Sequence, residues 1–146
     1  MTTASIYLNF DGNCYEAFLF YRSVLGGEFP YVGRFRDMPP HKGAPPLPKE
    51  MEDLIMHISL PVGEGTILMG SDTGGEWAPA FKPGNNFSIS LNTDSKEEAD
   101  RLFTGLSDGG TVIMPMQNTF WGDYYGMFTD KFGVGWMVSF PTQQHK

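Results

Sequence analysis

At 146 residues, 40% of them hydrophobic and 14% aromatic, the chain has material for one domain of ordinary size or two small halves sharing a core. Ten Lys and Arg against 17 Asp and Glu give a net charge of -7, which repels phosphate backbones and anionic lipid and argues against nucleic acid and membrane as partners. The single Cys14 allows no internal disulfide, the opening Met-Thr-Thr-Ala-Ser lacks the basic start and apolar run of a signal peptide, and no apolar run approaches the roughly 18 residues of a membrane helix, so a cytoplasmic protein is expected.

Ser5 to Phe10 alternates, with Ile6, Leu8 and Phe10 opposing Ser5, Tyr7 and Asn9, and predicts a strand. Asn13, three residues before Glu16, suggests a capping-box start, and Cys14, Ala17, Phe18, Tyr21 and Leu25 follow at helical spacing up to Gly26 and Gly27. Glu28 to Arg36 is aromatic and extended, a second strand. Asp37 to Lys49 carries Pro39, Pro40, Pro45, Pro46 and Pro48, which fix φ and remove amide donors, so it predicts an irregular loop, either a lid or a plain surface excursion. Leu54 to Pro61 and Thr66 to Ser71, separated by Gly63-Glu64-Gly65, predict a hairpin in which Met56, Ile58 and Leu60 oppose Ile55, His57 and Ser59.

Gly74, Gly75, Pro79, Pro83 and Gly84 punctuate the next stretch, which predicts a linker over 73–85 between modules at 4–72 and 86–141. After it the plan repeats. Phe87, Ile89 and Leu91 alternate with Ser88, Ser90 and Asn92, and Ser95 with Glu98 starts a helix striped by Ala99, Leu102, Phe103 and Leu106 that ends at Gly109-Gly110. Thr111 to Met116, Tyr124 to Thr129 and Gly135 to Phe140 are three further strands. The helix starts Asn13 and Ser95 lie 82 residues apart and the glycine pairs at Gly26 and Gly109 lie 83 apart, so two β-α-β-β-β modules are expected.

One face of such a module is covered by its helix and the other is open, so the fold expected is α+β, with paired modules forming a curved sheet around a cavity. Strand parity sends Ile6, Leu8, Phe10, Phe87, Ile89 and Leu91 under the helices and Tyr7, Asn9, Ser88, Ser90 and Asn92 to the open side, with His57 and Ser59 joining them. On the last strand Trp136 and Val138 go under a helix while Met137 and Ser139 face the cavity. Trp121, Tyr124, Tyr125 and Trp77 stand beside glycine-rich turns, outside the apolar stripes, and are candidates for a ligand wall. His57 is the one acid-base group expected on the open face, as a proton carrier or as a hydrogen-bonded structural histidine. His41 falls in the proline loop and His145 at the tail. Met56, Met69, Met114, Met116, Met127 and Met137 offer soft surface for a flat ligand or ordinary core. Cys14 falls on the apolar stripe of its helix and reads as an inert core residue, and Asp123 and Asp130 as caps for turn amides.

Tyr7-Leu8-Asn9-Phe10-Asp11-Gly12-Asn13 with Glu16-Ala17-Phe18 and Tyr21, and Trp121-Gly122-Asp123-x-Tyr125-Gly126 followed by Asp130-x-Phe132-Gly133-x-x-Trp136, resemble the PhnB-like branch of the glyoxalase, bleomycin-resistance and dioxygenase (vicinal oxygen chelate) superfamily. That branch is also labelled demethylubiquinone methyltransferase-like. Lys131 stands where the branch usually has proline. The resemblance implies a homodimer, with modules of one chain or of two enclosing each cavity. It also implies, in metal-dependent members, His, Gln or Glu ligands at positions that fall here on Ser5, on Asn86, on Met69 or Leu68, and on Met137. A hydroxyl, a carboxamide and a thioether bring neither charge nor strong σ-donation, so no metal and no other cofactor is expected. No glycine-rich loop of the kind a nucleotide-bearing methyl donor needs follows a strand.

The expectation is therefore a metal-independent module binding an aromatic or cationic small molecule through Tyr7, Asn9, His57, Ser59, Ser88, Ser90, Trp121, Tyr125, Met137 and Ser139. The alternative is a lyase, isomerase or other enzyme of the same fold, with His57 as its catalytic group.

Overall fold

The computed structural model describes residues 2–39, 43, 47–73 and 81–142. It divides into two compact units, Met1–Lys82 and Pro83–Lys146. The first contains β1 (Ile6–Phe10), α1 (Cys14–Leu25), β2 (Tyr31–Arg34), β3 (Ile55–Val62) and β4 (Thr66–Asp72); the second contains β5 (Ile89–Asn92), α2 (Lys96–Ser107), β6 (Thr111–Asn118), β7 (Asp123–Thr129) and β8 (Gly135–Pro141). The sheets run β1-β4-β3-β2 and β5-β8-β7-β6, with β1 parallel to β4, β5 parallel to β8, and every other pair antiparallel. Each unit is thus a β-α-β-β-β module of α+β class, as the repeat in the sequence predicts.

In the first unit Cys14, Ala17, Phe18 and Tyr21 of α1 are buried with Leu8 and Phe10 of β1 and Ile58, Leu60 and Leu68 of the central hairpin. Phe18 meets Phe10 edge to face at 6.1 Å and Tyr21 at 5.7 Å. Gly70 makes room for this packing, since a Cβ there would stand 2.7 Å from the Phe18 ring. Asn13 occupies the N-cap position of α1 without a side-chain cap bond. The expected capping box is replaced by Asp72 at the end of β4, whose Oδ1 accepts the amides of Gly12 and Cys14 at 2.9 Å each. A full carboxylate at a helix N-terminus answers the unpaired amides and the dipole together. At the other end Gly26 has φ +82, a left-handed conformation that side chains avoid, and its amide returns to the Arg22 carbonyl.

Three further expectations are corrected in this unit. The strand expected over Glu28 to Arg36 is only Tyr31–Arg34, and Phe35–Asp37 turns into a 3-10 helix. The strand expected to stop at Ser71 runs on to Asp72. Ile55 does not share the open face with His57: pairing steps from Gly33↔His57 to Arg34↔Ile55, leaving Met56 as the extra residue of a bulge, and Ile55 turns inward to full burial. Residues 40–42 and 44–46 of the proline loop and 74–80 of the 73–85 linker, with Trp77, His41 and His145, lie outside the described residues.

In the second unit Ala99, Leu102 and Leu106 of α2 are buried, as are Phe128, Trp136 and Val138. Phe103 meets Phe128 edge to face at 5.1 Å. Here the expected cap is present, Ser95 Oγ accepting the Glu98 amide at 3.1 Å. Phe87, expected under the helix, lies ahead of β5 and is 55% exposed. Its alternation with Ile89 is therefore not that of one continuous strand. Asp130, at the turn between β7 and β8, accepts the amides of Phe132 and Val134 through Oδ1 and the indole N–H of Trp136 through Oδ2 at 2.8 Å. The turn-capping role expected of Asp130 is thus joined by a bond into the core.

Candidate functional site

The open face of the first sheet is built from cross-strand neighbours. Tyr7 stands beside Met69, Met69 opposite Ser59 and Ser59 opposite Tyr31. His57, two residues from Ser59, shares this face, and its Nδ1 is hydrogen-bonded to the Tyr7 hydroxyl at 3.3 Å. The imidazole lies between two phenol rings, with centroids 5.6 Å from Tyr7 and 5.7 Å from Tyr31, both tilted. Tyr7 and Tyr31 remain 45% and 48% exposed. Gly33 faces His57 across the strands, and its missing side chain is what lets Tyr31 fold inward, since a Cβ at Gly33 would stand 2.6 Å from the Tyr31 hydroxyl oxygen. Asn9 and Ser71 form the next row of the same face.

The structure therefore brings together Tyr7, His57 and Ser59 as the sequence suggests, with Asn9 alongside, and adds Tyr31. In sequence Tyr31 is one of several aromatic residues between Glu28 and Arg36, and the run itself does not single it out. The glycine two residues on, a gap large enough for a ring, is the signal that marks it. None of the strand residues Tyr7, Asn9, Tyr31, His57, Ser59, Met69 and Ser71 carries a carboxylate, and Asp72, next to Ser71, is buried and committed to backbone amides.

On the second sheet, Ser90 pairs with Met137 and Asn92 with Ser139, and the Ser139 hydroxyl donates to Asn92 Oδ1 at 2.9 Å. Tyr125 lies opposite Ser139 and Met127 opposite Met137. Trp121, at the tip between β6 and β7, donates from Nε1 to Asp123 Oδ2 at 3.0 Å and sets its ring edge to face with Tyr125 at 5.9 Å. Phe120 beside it is 97% exposed. Ser90, Trp121, Tyr125, Met137 and Ser139 thus gather around one face and its rim. Ser88 does not belong to the strand; it precedes β5 and lies against Gly135.

Tyr124 belongs to the other side. Its hydroxyl donates to Asp100 Oδ1 of α2 at 2.6 Å, Lys96 Nζ sits 4.9 Å from its ring centre, and that hydrogen bond, with burial and the Asp100 charge adding to it, pushes the phenol above its usual range. Parity explains the difference, since adjacent residues of a strand point to opposite faces. Cys14 is fully buried, and its thiol is pushed far up, by burial first and by the negative Asp72 second. Its thiolate, the reactive form, is suppressed.

The positions to which the resemblance assigns metal ligands do not fit an ion. Ser5 and Asn86 are exposed residues ahead of β1 and β5, Leu68 is buried on the helix side, and Met69 and Met137 present thioethers on the open faces. Among the described residues no three His, Cys, Asp or Glu side chains are grouped so as to hold an ion. Soft neutral sulfur and a lone hydroxyl do not replace imidazole and carboxylate for a divalent cation.

Comparison with known proteins agrees with this architecture. The profile of the Glyoxalase/Bleomycin resistance protein/Dioxygenase superfamily matches residues 7–138. The chain is 35% identical over 146 residues to Protein YjdN of Escherichia coli strain K12, covering 96% of each. The crystal structure of protein PA1353 from Pseudomonas aeruginosa superimposes with a TM-score of 0.81 at 43% identity, covering 98% of this chain and 100% of that one. The same fold is seen in a Bacillus cereus PhnB protein described as a putative 3-demethylubiquinone-9 3-methyltransferase, with a TM-score of 0.70 at 24% identity over 95% of this chain and 99% of that one. With two β-α-β-β-β units in matching order and a profile match over nearly its whole length, the chain belongs to the Glyoxalase/Bleomycin resistance protein/Dioxygenase superfamily.

Proposed function

We propose that this chain is a metal-independent small-molecule-binding protein, holding an aromatic or cationic compound on the open faces of its sheets and working in the cytoplasm as a homodimer. The observation that carries the reading is His57 set between the half-exposed rings of Tyr7 and Tyr31. Aromatic rings left open to solvent and tied to a polar group bind flat molecules through their faces and orient them through that group. On the second sheet Ser90, Ser139, Met137, Tyr125 and Trp121 offer a polar and thioether surface of similar character, with Ser88 beside it. Asn9 and Ser59 supply the polar groups next to the His57 cluster. The ligand positions of metal-dependent relatives carry Ser5, Asn86 and Met137, which favours binding without an ion. The net charge of -7 favours neutral or cationic compounds in the bulk and disfavours nucleic acid. No helix among the described residues is long and apolar enough to cross a membrane.

Thermal-shift screening of the purified protein against aromatic and cationic compounds tests the reading. Stabilisation lost in His57→Ala and Tyr31→Ala supports it. Absence of stabilisation, together with turnover of any compound in the set, replaces it with catalysis. Near-stoichiometric Mn, Fe, Ni or Zn in the purified protein, lost on His57→Ala, overturns metal independence. Sedimentation of the protein as a monomer removes the homodimer.

One observation favours a second reading, a lyase or isomerase: a tyrosine hydroxyl on His57 Nδ1 is the geometry of a positioned proton carrier. Catalysis abolished in His57→Ala with the fold intact would establish it.

A further inference from the structure

We infer that Tyr7 is a positioning residue that fixes the tautomer of His57, and that the face takes a flat neutral ring bearing a hydrogen-bond acceptor, not a cation. The inference rests on the binding role proposed above and sharpens its ligand class. A neutral imidazole has one nitrogen that donates and one that accepts. The Tyr7 hydroxyl and His57 Nδ1 lie 3.3 Å apart, and a phenolic O–H is a better donor than acceptor. The pair therefore settles with Tyr7 donating to Nδ1, which places the ring hydrogen on Nε2. Nε2 has no protein partner among the described residues, so it presents an N–H from between two aromatic rings.

The surroundings select the same class. The side chains sharing this face, Tyr31, Ser59, Met69 and Asn9, include no carboxylate to balance a bound cation. An acceptor is met by the Nε2–H, whereas a cation is opposed by the positive end of that bond. Two half-exposed phenol rings supply the stacking walls for a planar body.

The test uses three probes of similar size, acetophenone, ethylbenzene and phenyltrimethylammonium, titrated into the isotopically labelled full chain and followed by backbone amide shifts. Long-range proton–nitrogen correlation of the imidazoles, with the His57 signals assigned by their loss in His57→Ala, reads the tautomer without any ligand. The neutral imidazole of His57 is expected to be almost wholly in the Nε2–H form, relaxing toward the mixture of free histidine in Tyr7→Phe, which keeps the ring. Acetophenone is expected to bind about tenfold more tightly than either other probe, with that preference reduced to about threefold in Tyr7→Phe. An Nδ1–H tautomer in the wild-type chain overturns the inference whether or not a probe binds. Equal binding of all three probes, or a preference for the cation, overturns it while leaving the binding face standing; binding of none overturns both.

Discussion

Asp72 Oδ2 accepts the amide of Ile55 at 2.8 Å while its other oxygen holds the start of α1. One buried carboxylate thereby ties the end of β4 to the first residue of β3 and to the loop between β1 and α1. Without it the amides of Cys14 and Ile55 would be left buried and unpaired, and that of Gly12 would turn to solvent. Asp72→Ala is expected to cost about 3–5 kcal/mol, and Asp72→Asn, which keeps one acceptor oxygen, about half as much. Urea unfolding measured for the three proteins checks the order. A loss below about 1 kcal/mol for alanine would show that water replaces the carboxylate.

Asp130 plays a comparable part in the second unit, where its Oδ2 receives the buried indole N–H of Trp136. Trp136→Phe removes that donor and leaves a cavity, with an expected cost of about 3 kcal/mol. Asp130→Asn keeps one acceptor oxygen, enough for the two turn amides but not for the indole N–H as well, and is expected to cost about 1–2 kcal/mol. Thermal unfolding of both variants, compared at the midpoint of the wild-type transition, distinguishes them.

Burial of Cys14 makes stability depend on alkaline pH. The folded thiol is pushed above the ordinary value of 9.0, so below that pH both states carry the proton and the full contribution is present. As pH rises past 9.0 the unfolded chain loses the proton and the folded chain retains it, so this group's contribution falls by about 1.4 kcal/mol per pH unit. The slope of stability against pH between mildly and strongly alkaline buffer is expected to be shallower in Cys14→Ala. The same burial predicts that a thiol reagent modifies the native protein no faster than it unfolds.

Glycines under aromatic rings respond according to what the ring is packed against. At Gly126 a Cβ would stand 2.7 Å from Phe103 and at Gly70 2.7 Å from Phe18, and both rings lie against the helix-side core. Gly70→Ala and Gly126→Ala are each expected to cost about 1–3 kcal/mol by overpacking. Gly33→Ala meets only the outer end of Tyr31, which can swing outward. Its expected cost is under about 1 kcal/mol, with ligand binding on the His57 face weakened. Chemical denaturation paired with probe titration separates the two patterns.

Element order, both helices and the sides taken by Tyr7, His57, Trp136 and Met137 were legible from periodicity and from paired glycines, because those signals are local. What escaped was set by partners distant in sequence. The α1 cap comes from Asp72 and not from Asn13, and nothing near Asn13 announces it. The inward turn of Ile55 follows from a bulge against β2, a property of pairing and not of either strand alone. Tyr31 joins the candidate site through the gap at Gly33, and Tyr124 leaves it because strict alternation outranks its place beside Tyr125.

The parallel pairs of the two units align at Asn9–Ser71 and Asn92–Ser139, and that alignment sets Met69 on Met137 and Tyr7 on Ser90. The molecule thus contains its own control experiment: the same strand position is filled once by a phenol and once by a small hydroxyl, and both sheets form. A strand of this kind therefore pairs with either residue at that position. What the first unit gains from the phenol is a half-exposed ring and a hydroxyl bonded to His57 Nδ1, which the serine of the second unit does not offer.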